Sequence, residues 1–309
     1  MRRDSLATPL PFSAGTLPPR AALPPGACDC HVHVYDARFP AAPGARLLPP
    51  DASAADYRRL QRRTGTTSTV LVTPSTYGTD NACMLAGLQA LGPEARGVAV
   101  IDGSESDAAL QRLHDAGVRG VRLNLSLGVS GTVDALLPLA RRIAPLGWHL
   151  QLLMAPDLLA AQARMLRRLP VPLVFDHFGR MAPAQVGRHA AHALLLELLQ
   201  GGQAWIKLSG GYIVSARHSI EDPALDALAA SYLRCAPERV VWGSDWPHAT
   251  ASAGIQPMPD DARQVDRLID WTNQAGGTAT LQRVLVDNPQ RLYGFTPLPL
   301  SPDHTETSP

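Results

Sequence analysis

The sequence predicts an α/β fold, a distorted (β/α)8 TIM barrel. Eight short runs of apolar or β-branched residues recur along the chain, and helical patterns separate most of them. Regular alternation of strands and helices is typical of a barrel of parallel strands. A doubly wound sheet is the alternative, but no glycine-rich phosphate fingerprint follows the first strand, and its absence weakens that alternative.

Each predicted strand is a compact run that ends in a turn or a polar segment. We place the strands at Cys28–Val34, Thr69–Thr73, Gly97–Ile101, Gly120–Leu125, His149–Met154, Leu173–Asp176, Ala204–Leu208 and Val240–Ser244. The predicted helices are Asp80–Leu91, Asp107–Ala116, Val133–Ala144, Pro156–Leu169, Val186–Gln200, Asp222–Cys235 and Asp261–Gln274. Several begin with an acidic cap or a first-turn proline, which favours a helix start.

The two ends of the chain lack this periodic pattern. Residues 1–27 are rich in proline and predict a flexible or surface-draped arm. Residues 297–309 predict a disordered tail by the same reasoning. Residues 28–296 then form a single barrel domain.

Composition and charge exclude several classes of function. The 309-residue chain has 28 basic and 27 acidic side chains, so its formal net charge is +1. This balance predicts neither nucleic-acid binding nor a basic membrane patch, and no apolar run approaches the ~18 residues of a membrane span. The four cysteines form no CxxC pair and no secretory signal is evident, so we predict a cytoplasmic protein with free thiols. The sequence gives no indication of an oligomeric state.

A barrel requires its functional side chains to lie at the carboxyl ends of the strands. The first predicted strand carries Asp29, His31 and His33 at alternate positions, so all three are expected on one face. Two histidines at this spacing can converge on a metal ion or on one substrate oxygen.

Strands 6 and 8 also end in polar motifs. His177 follows strand 6, and Asp245 stands between two tryptophans after strand 8. A partly desolvated carboxylate of this kind can be a metal ligand or a general base with a raised pKa. The alternatives are a surface-loop histidine and a turn-initiating aspartate.

Two basic residues are expected inside the barrel. Arg122 shares a strand face with Asn124, and it needs an anionic partner, either a structural carboxylate or a substrate carboxylate. Lys207, the only lysine of the chain, is expected to make a structural ion pair in the lower barrel, with Asp29 as the candidate partner.

Seven segments in order resemble the amidohydrolase superfamily, most closely its branch of 2-pyrone-4,6-dicarboxylate lactonases and sugar-acid lactone enzymes. They are DCHVHVYD (29–36), TPSTYGTDN (73–81), GVRLN (120–124), DHFGR (176–180), KLSG (207–210), WGSDWPH (242–248) and NPQRLYGF (288–295). The resemblance runs from about Cys28 to Phe295 and implies a distorted (β/α)8 barrel.

The resemblance also implies roles for individual residues. His31, His33, His177 and Asp245 match groups that bind the lactone carbonyl and activate water. The residues expected to bind substrate are Arg122, Arg180, Arg217, Ser75, Tyr77 and Asn124, of which the arginines match groups that hold carboxylates.

The cofactor expected from this comparison is either none or one divalent metal ion, with no organic cofactor. Many superfamily members place a lysine on a middle strand to bridge two metals, but the corresponding segment here is His149–Leu153. A two-metal site is therefore disfavoured. One Zn²⁺ could use His31, His33, His177 and Asp245.

The expected reaction is hydrolysis of a small anionic, carboxylated lactone. Asp245 would be the general base, and His31, His33 and His177 would donate hydrogen bonds to the carbonyl oxygen as it becomes negative. Isomerisation of an aldaric-acid lactone and metal-dependent decarboxylation are the alternatives. A non-catalytic scaffold would have lost some of the seven motifs.

Overall fold

A computed structural model describes residues 9–126 and 131–296 of the chain. Eight parallel strands follow one another around the sheet in chain order. They are β1 (Cys28–Val32), β2 (Ser68–Val72), β3 (Ala95–Ala99), β4 (Val118–Asn124), β5 (His149–Leu153), β6 (Leu173–Phe175), β7 (Ala204–Leu208) and β8 (Val240–Trp242). Val32 bridges to Trp246 beyond β8, which brings the two edges together. The predicted (β/α)8 barrel is confirmed.

Helices connect successive strands and pack around the outside of the barrel. They are α1 (Ala54–Thr64), α2 (Ala82–Leu91), α3 (Asp107–Asp115), α4 (Leu136–Ile143), α5 (Pro156–Ala161), α6 (Ala163–Leu166), α7 (Ala190–Gln200), α8 (Gly211–Val214), α9 (Ala224–Cys235), α10 (Ala249–Ser252), α11 (Asp261–Gln274), α12 (Thr278–Gln282) and α13 (Asn288–Tyr293). A π-helical turn, Arg283–Asp287, joins the last two. No described helix is long and apolar enough to cross a membrane.

Helix α1 was not predicted, although its start has a recognisable signal. Ser53 accepts a hydrogen bond from the Asp56 amide, and the Asp56 side chain accepts one from the Ser53 amide, which forms a capping box. Tyr57 and Leu60, three positions apart, are buried on one face. By contrast, α11 has the predicted bounds.

The barrel interior changes from apolar to polar along the strands. Cys28, Val70 and Val174 form an apolar cluster. Tyr293, the last residue of α13, and Phe295 just after it complete the cluster. Towards the carboxyl ends of the strands, the interior side chains are charged or polar, and several of them are fully buried. The carboxyl-terminal face is therefore where the fold assembles a polar site.

The predicted phase of β1 is wrong. Its pairing with β2 shifts register between Asp29 and Val32, so the strand contains an irregularity of the bulge type. Asp29 accepts a hydrogen bond from the Tyr57 hydroxyl on α1, outside the barrel. His31, within the shift, and His33, beyond it, face the interior. A strict period of two cannot reveal such a shift.

The described part of the N-terminal arm is anchored to the barrel. The Trp246 indole donates to the Pro11 carbonyl at 3.3 Å, and the Phe12 ring packs edge-on against that indole. Arg63 donates to the Gly15 carbonyl at 2.9 Å. Residues 9–27 thus drape over the surface with defined contacts. Residues 1–8 and the predicted tail at 297–309 lie outside the described residues.

His149 makes the stability of the barrel depend on pH. Burial, with the Lys207 charge as the second cause, lowers the pKa of His149 to about 3. The unfolded chain therefore takes up a proton below pH ~6.5 that the folded chain refuses, and stability is lost as pH falls. A His149→Phe variant keeps the edge-on contact with Tyr293. We therefore expect the free energy of unfolding of the unmodified protein, measured in urea, to fall by about 2 kcal/mol more than that of the variant between pH 7 and pH 5.

An unfolding free energy that falls equally in both proteins over this range would contradict the assigned burial of a neutral His149.

Candidate active site

A cavity of about 200 Å³ opens among the loops at the carboxyl ends of the strands. Its walls bring together seven of the residues that the sequence singled out. They are His33, Ser75, Arg122, Asn124, His177, Arg180 and Asp245. His31 is fully buried directly behind them.

Three imidazoles converge on one carboxylate oxygen in this cavity. Asp245 Oδ1 lies 3.6 Å from His31 Nε2, 3.7 Å from His33 Nε2 and 3.8 Å from His177 Nε2. The ring centroids of His31 and His33 are 5.0 Å apart, and those of His31 and His177 are 4.8 Å apart. His31 lies in β1 and His33 just after it, whereas His177 and Asp245 follow β6 and β8. Only the closed barrel brings these residues together.

The backbone of the site is strained. Five of the seven non-glycine residues with positive φ among the described residues belong to two of its segments. They are His177, Phe178 and Arg180 after β6, and Asp245 and His248 after β8. Left-handed conformations of this kind cost about 1–3 kcal/mol each and cluster at functional sites. The strain therefore supports a functional interpretation of both segments.

One glycine permits the close approach of β1 and β8. A Cβ atom on Gly243 would lie 2.6 Å from the Cβ atom of His31 and 2.7 Å from its backbone nitrogen. Only glycine fits this contact without moving His31 away from Asp245.

Asp245 is an ionised carboxylate. Burial alone would raise its pKa, but the facing imidazoles of His177, His31 and His33 and the Tyr212 hydroxyl lower it below the ordinary value. The expectation of a raised pKa is therefore wrong, because polar groups rather than the neighbouring tryptophans dominate the surroundings. Tyr212 donates to Asp245 Oδ2 at 2.6 Å, which leaves Oδ1 facing the imidazoles.

A buried hydrogen-bond chain continues behind this tyrosine. The Tyr212 hydroxyl lies 3.2 Å from His248 Nδ1, and His248 Nε2 lies 3.2 Å from Asp261 Oδ2. Burial would lower the pKa of His248, but the Asp261 carboxylate outweighs burial and raises it. The chain orients the hydroxyl towards Asp245. His248 ends the motif at 242–248 and Tyr212 lies two residues after the motif at 207–210, but the sequence assigned no role to either.

His33 is held in a single tautomer. Its Nδ1 lies 2.7 Å from the Val72 carbonyl oxygen, which can only accept, so Nδ1 carries the proton. Burial is the main cause that lowers the pKa of His33 to about 4, so the ring is neutral near pH 7. His33 Nε2 is then a lone pair and has no proton for a carbonyl oxygen, contrary to the expected donor role.

A second buried carboxylate, Asp176, links the two interior cations. Arg122 Nε donates to Asp176 Oδ2 at 3.2 Å, and Gln151 Nε2 donates to the same oxygen at 3.1 Å. Lys207 Nζ lies 3.6 Å from Asp176 Oδ1. Burial would raise the pKa of Asp176, but the His31, Lys207 and Arg122 groups hold it well below its usual range. The structural carboxylate for Arg122 is therefore Asp176, although Arg122 also lines the cavity.

The predicted Lys207–Asp29 pair is wrong. Lys207 is fully buried, as expected of a structural residue, but its carboxylate partner is Asp176. Asp29 points out of the barrel because of the shifted register of β1. Its Oδ1 accepts from the Ser244 amide at 2.8 Å.

The remaining predicted substrate-binding residues differ in position. Arg180 is half-buried against the cavity, and desolvation lowers the pKa of its guanidinium. Asn124 donates to Ser75 Oγ at 2.9 Å on the same wall. Tyr77 does not line the cavity, and its hydroxyl bonds to the backbone of Asp36. Arg217 also lies outside, with its side chain 71% exposed.

Several groups of the site were not predicted from the sequence. Gln151 had a signal, because it is a polar residue at an interior position of an apolar strand. Arg46 and Gln256 line the cavity from loops, and Thr250 lines it from the short helix α10. They had no signal, because loop residues have no periodicity that predicts where their side chains point.

The donor set is of a kind that suits one divalent ion. Ligand atoms of His31, His33 and Asp245 lie within 4.8 Å of one another, and those of His31, Asp176 and His177 form a second such group. His31 Nε2 is buried and has no hydrogen-bond partner among the described residues. Imidazole nitrogen and carboxylate oxygen are ligands that Zn²⁺ accepts.

Comparison with known proteins places this geometry in a family. The chain matches the Amidohydro_2 family of amidohydrolases over residues 28–295. It is 36% identical over 301 residues to 2-pyrone-4,6-dicarboxylate hydrolase of Comamonas testosteroni, and the alignment covers 92% of this chain and 95% of the hydrolase. It is 30% identical over 282 residues to D-galactarolactone isomerase of Agrobacterium fabrum, with coverages of 91% and 95%.

A solved structure agrees with the fold. An apo crystal structure of an Agrobacterium tumefaciens protein superposes with a TM-score of 0.82 at 29% identity, covering 91% of this chain and 100% of that one.

Proposed function

The chain belongs to the amidohydrolase family and is an enzyme that acts on lactones, and on that premise we propose that it hydrolyses a small carboxylated lactone. The observation that carries the proposal is the ionised Asp245, which faces three imidazoles in a cavity lined by arginines. A general base, polar hydrogen-bonding groups and cationic docking groups are what ester hydrolysis of an anionic substrate needs.

The charge of the cavity favours an anionic ligand. Three arginines, Arg46, Arg122 and Arg180, and one aspartate line it, so its walls carry a formal charge of +2. Asp176 neutralises part of the charge of Arg122. No carboxylate of the described residues forms an ion pair with Arg180, so a substrate carboxylate is its natural partner.

Asp245 Oδ1 acts as the general base. It takes a proton from water as the water oxygen attacks the lactone carbonyl carbon, and it returns a proton to the ring oxygen when the acyl–oxygen bond breaks. Tyr212 holds the other carboxylate oxygen, so the carboxylate cannot rotate away from the attacking water. Arg180 and Arg122 orient the substrate through its carboxylate.

The imidazoles face the carbonyl oxygen. His31 and His177 are the candidates to donate to that oxygen, since His33 carries its proton on the opposite nitrogen. If one divalent ion is bound, His31, His33, His177 and Asp245 would hold it. The ion would supply Lewis-acid polarisation of the carbonyl and a more acidic water.

Removal of the base tests the assignment of Asp245. Asp245→Asn is isosteric and can still accept from Tyr212, but it cannot take a proton from water. We expect kcat to fall by about 10²- to 10⁴-fold with an unchanged melting temperature. Asp222→Asn is the control, because Asp222 is a buried carboxylate bonded to Ser215 outside the cavity. Retained turnover in Asp245→Asn would refute the assignment.

Removal of a docking cation tests the charge of the substrate. Because Arg180 is half-buried against the cavity, Arg180→Met should raise KM for a carboxylated lactone by about 10- to 100-fold, which corresponds to a charged hydrogen bond of about 1.5–3 kcal/mol. The exposed Arg217 provides the matched control, and Arg217→Met should leave KM unchanged. With an uncharged lactone ester as the substrate, the two variants should have the same KM.

Lactone isomerisation is the second candidate, because one relative of similar length is an isomerase. The same base could move a proton between two hydroxyls of a sugar acid while the acyl group migrates. Following a sugar-acid lactone by NMR separates the two reactions. We expect the open hydroxy acid to accumulate, whereas a new ring size without an open product would favour the isomerase.

A further inference from the structure

We propose that Lys207 is a positioning residue that fixes the proton of His31 on Nε2 and so makes His31 the hydrogen-bond donor to the substrate carbonyl oxygen. The role of His31 as a donor to the substrate rests on the proposed function, whereas the position of its proton on Nε2 does not.

The Lys207 ammonium has three protons and three close acceptors. Nζ lies 2.8 Å from the Cys30 carbonyl oxygen, 2.7 Å from Gln151 Oε1 and 3.3 Å from His31 Nδ1. An ammonium only donates, so His31 Nδ1 must accept. A neutral imidazole that accepts at Nδ1 carries its proton at Nε2.

Gln151 accepts one of the ammonium protons. Its Nε2 donates to Asp176 Oδ2 at 3.1 Å, so its Oε1 faces Lys207. If the amide were reversed, an NH₂ group would meet the ammonium and an oxygen would meet the carboxylate. The orientation of Gln151 therefore fixes one of the three ammonium contacts, and the other two are those with Cys30 and His31.

Asp176 is the competing partner of His31. Its Oδ1 lies 3.2 Å from His31 Nδ1, but this oxygen makes no hydrogen bond with any of the described residues. The Lys207 ammonium stands 3.6 Å from the same oxygen and balances its charge. The alignment thus favours the lysine over the carboxylate at Nδ1.

The two histidines of β1 then have opposite tautomers. His33 is protonated at Nδ1 and presents a lone pair at Nε2, whereas His31 presents an N–H at Nε2. That N–H is buried, has no partner among the described residues and lies on the Asp245 side of the ring. A substrate carbonyl oxygen is an acceptor that would satisfy it.

The same proton weakens the binding of a metal ion to His31, because Nε2 must lose its proton before its lone pair can bind. Without the Lys207 ammonium, the ring proton of His31 would move from Nε2 to Nδ1, where it would face Asp176. Nε2 would then be a lone pair beside His33 and Asp245, free to bind an ion. Loss of the lysine should therefore convert a hydrogen-bond donor into a metal ligand.

Nitrogen-15 NMR of histidine-labelled, metal-free full-length protein tests the proposal at pH 7 without substrate. His31→Gln identifies the His31 signals by their disappearance. We expect the Nε2–H tautomer for His31 and the Nδ1–H tautomer for His33. An Nδ1–H tautomer for His31 in the unmodified protein overturns the proposal, and this measurement requires no variant of Lys207.

Lys207→Met provides the second arm. We expect His31 to change to the Nδ1–H tautomer, and Zn²⁺ affinity, measured by chelator competition, to rise at least about tenfold, or 1.4 kcal/mol. Ser209→Ala is the control, because Ser209 contacts His177 Nδ1 rather than His31. A folded Lys207→Met protein with unchanged tautomer or unchanged Zn²⁺ affinity overturns the proposal. Absence of lactone turnover in the unmodified protein would refute the proposed function and leave the tautomer result standing.

Discussion

The buried carboxylate of Asp176 is the interaction on which the interior of this barrel depends. Arg122 on β4 and Lys207 on β7 would otherwise be two cations without a counterion inside the barrel, and breaking one such buried pair costs about 3–5 kcal/mol. Asp176 follows β6 and is within ion-pairing distance of both. It is also adjacent to His177, so the residue that balances the interior charge sets the position of the cavity wall.

Charge balance and chemistry are therefore joined in the same few residues. Arg122 is held by Asp176 and still lines the cavity, and Lys207 contacts both Asp176 and His31. The strained turns after β6 and β8 carry the remaining groups. Packing in the surrounding core offsets the free-energy cost of their left-handed residues. The residues that support the site are buried, whereas the cationic loop residue Arg46 at its edge is exposed.

Much of the fold and part of the site could be predicted from the sequence. Strand runs and the motifs at their ends were enough for the barrel, because those signals are local and periodic. Helix α1 was missed although a capping box marked it, and Tyr77 and Arg217 were expected in a cavity that they do not line. The pKa of Asp245 was expected to rise because tryptophans flank it in sequence. Imidazoles from other strands lower it instead.

The sequence by itself determined the barrel, the order of its motifs and the residue types available at the strand ends. The tertiary structure alone decided the partners. It turned Asp29 outward through a register shift and paired Lys207 with Asp176 instead. It also placed His31 Nδ1 against a lysine and His33 Nδ1 against a backbone carbonyl. The physical reason is that hydrogen bonds and ion pairs depend on distances of a few ångströms between residues far apart in the chain, which no local pattern contains.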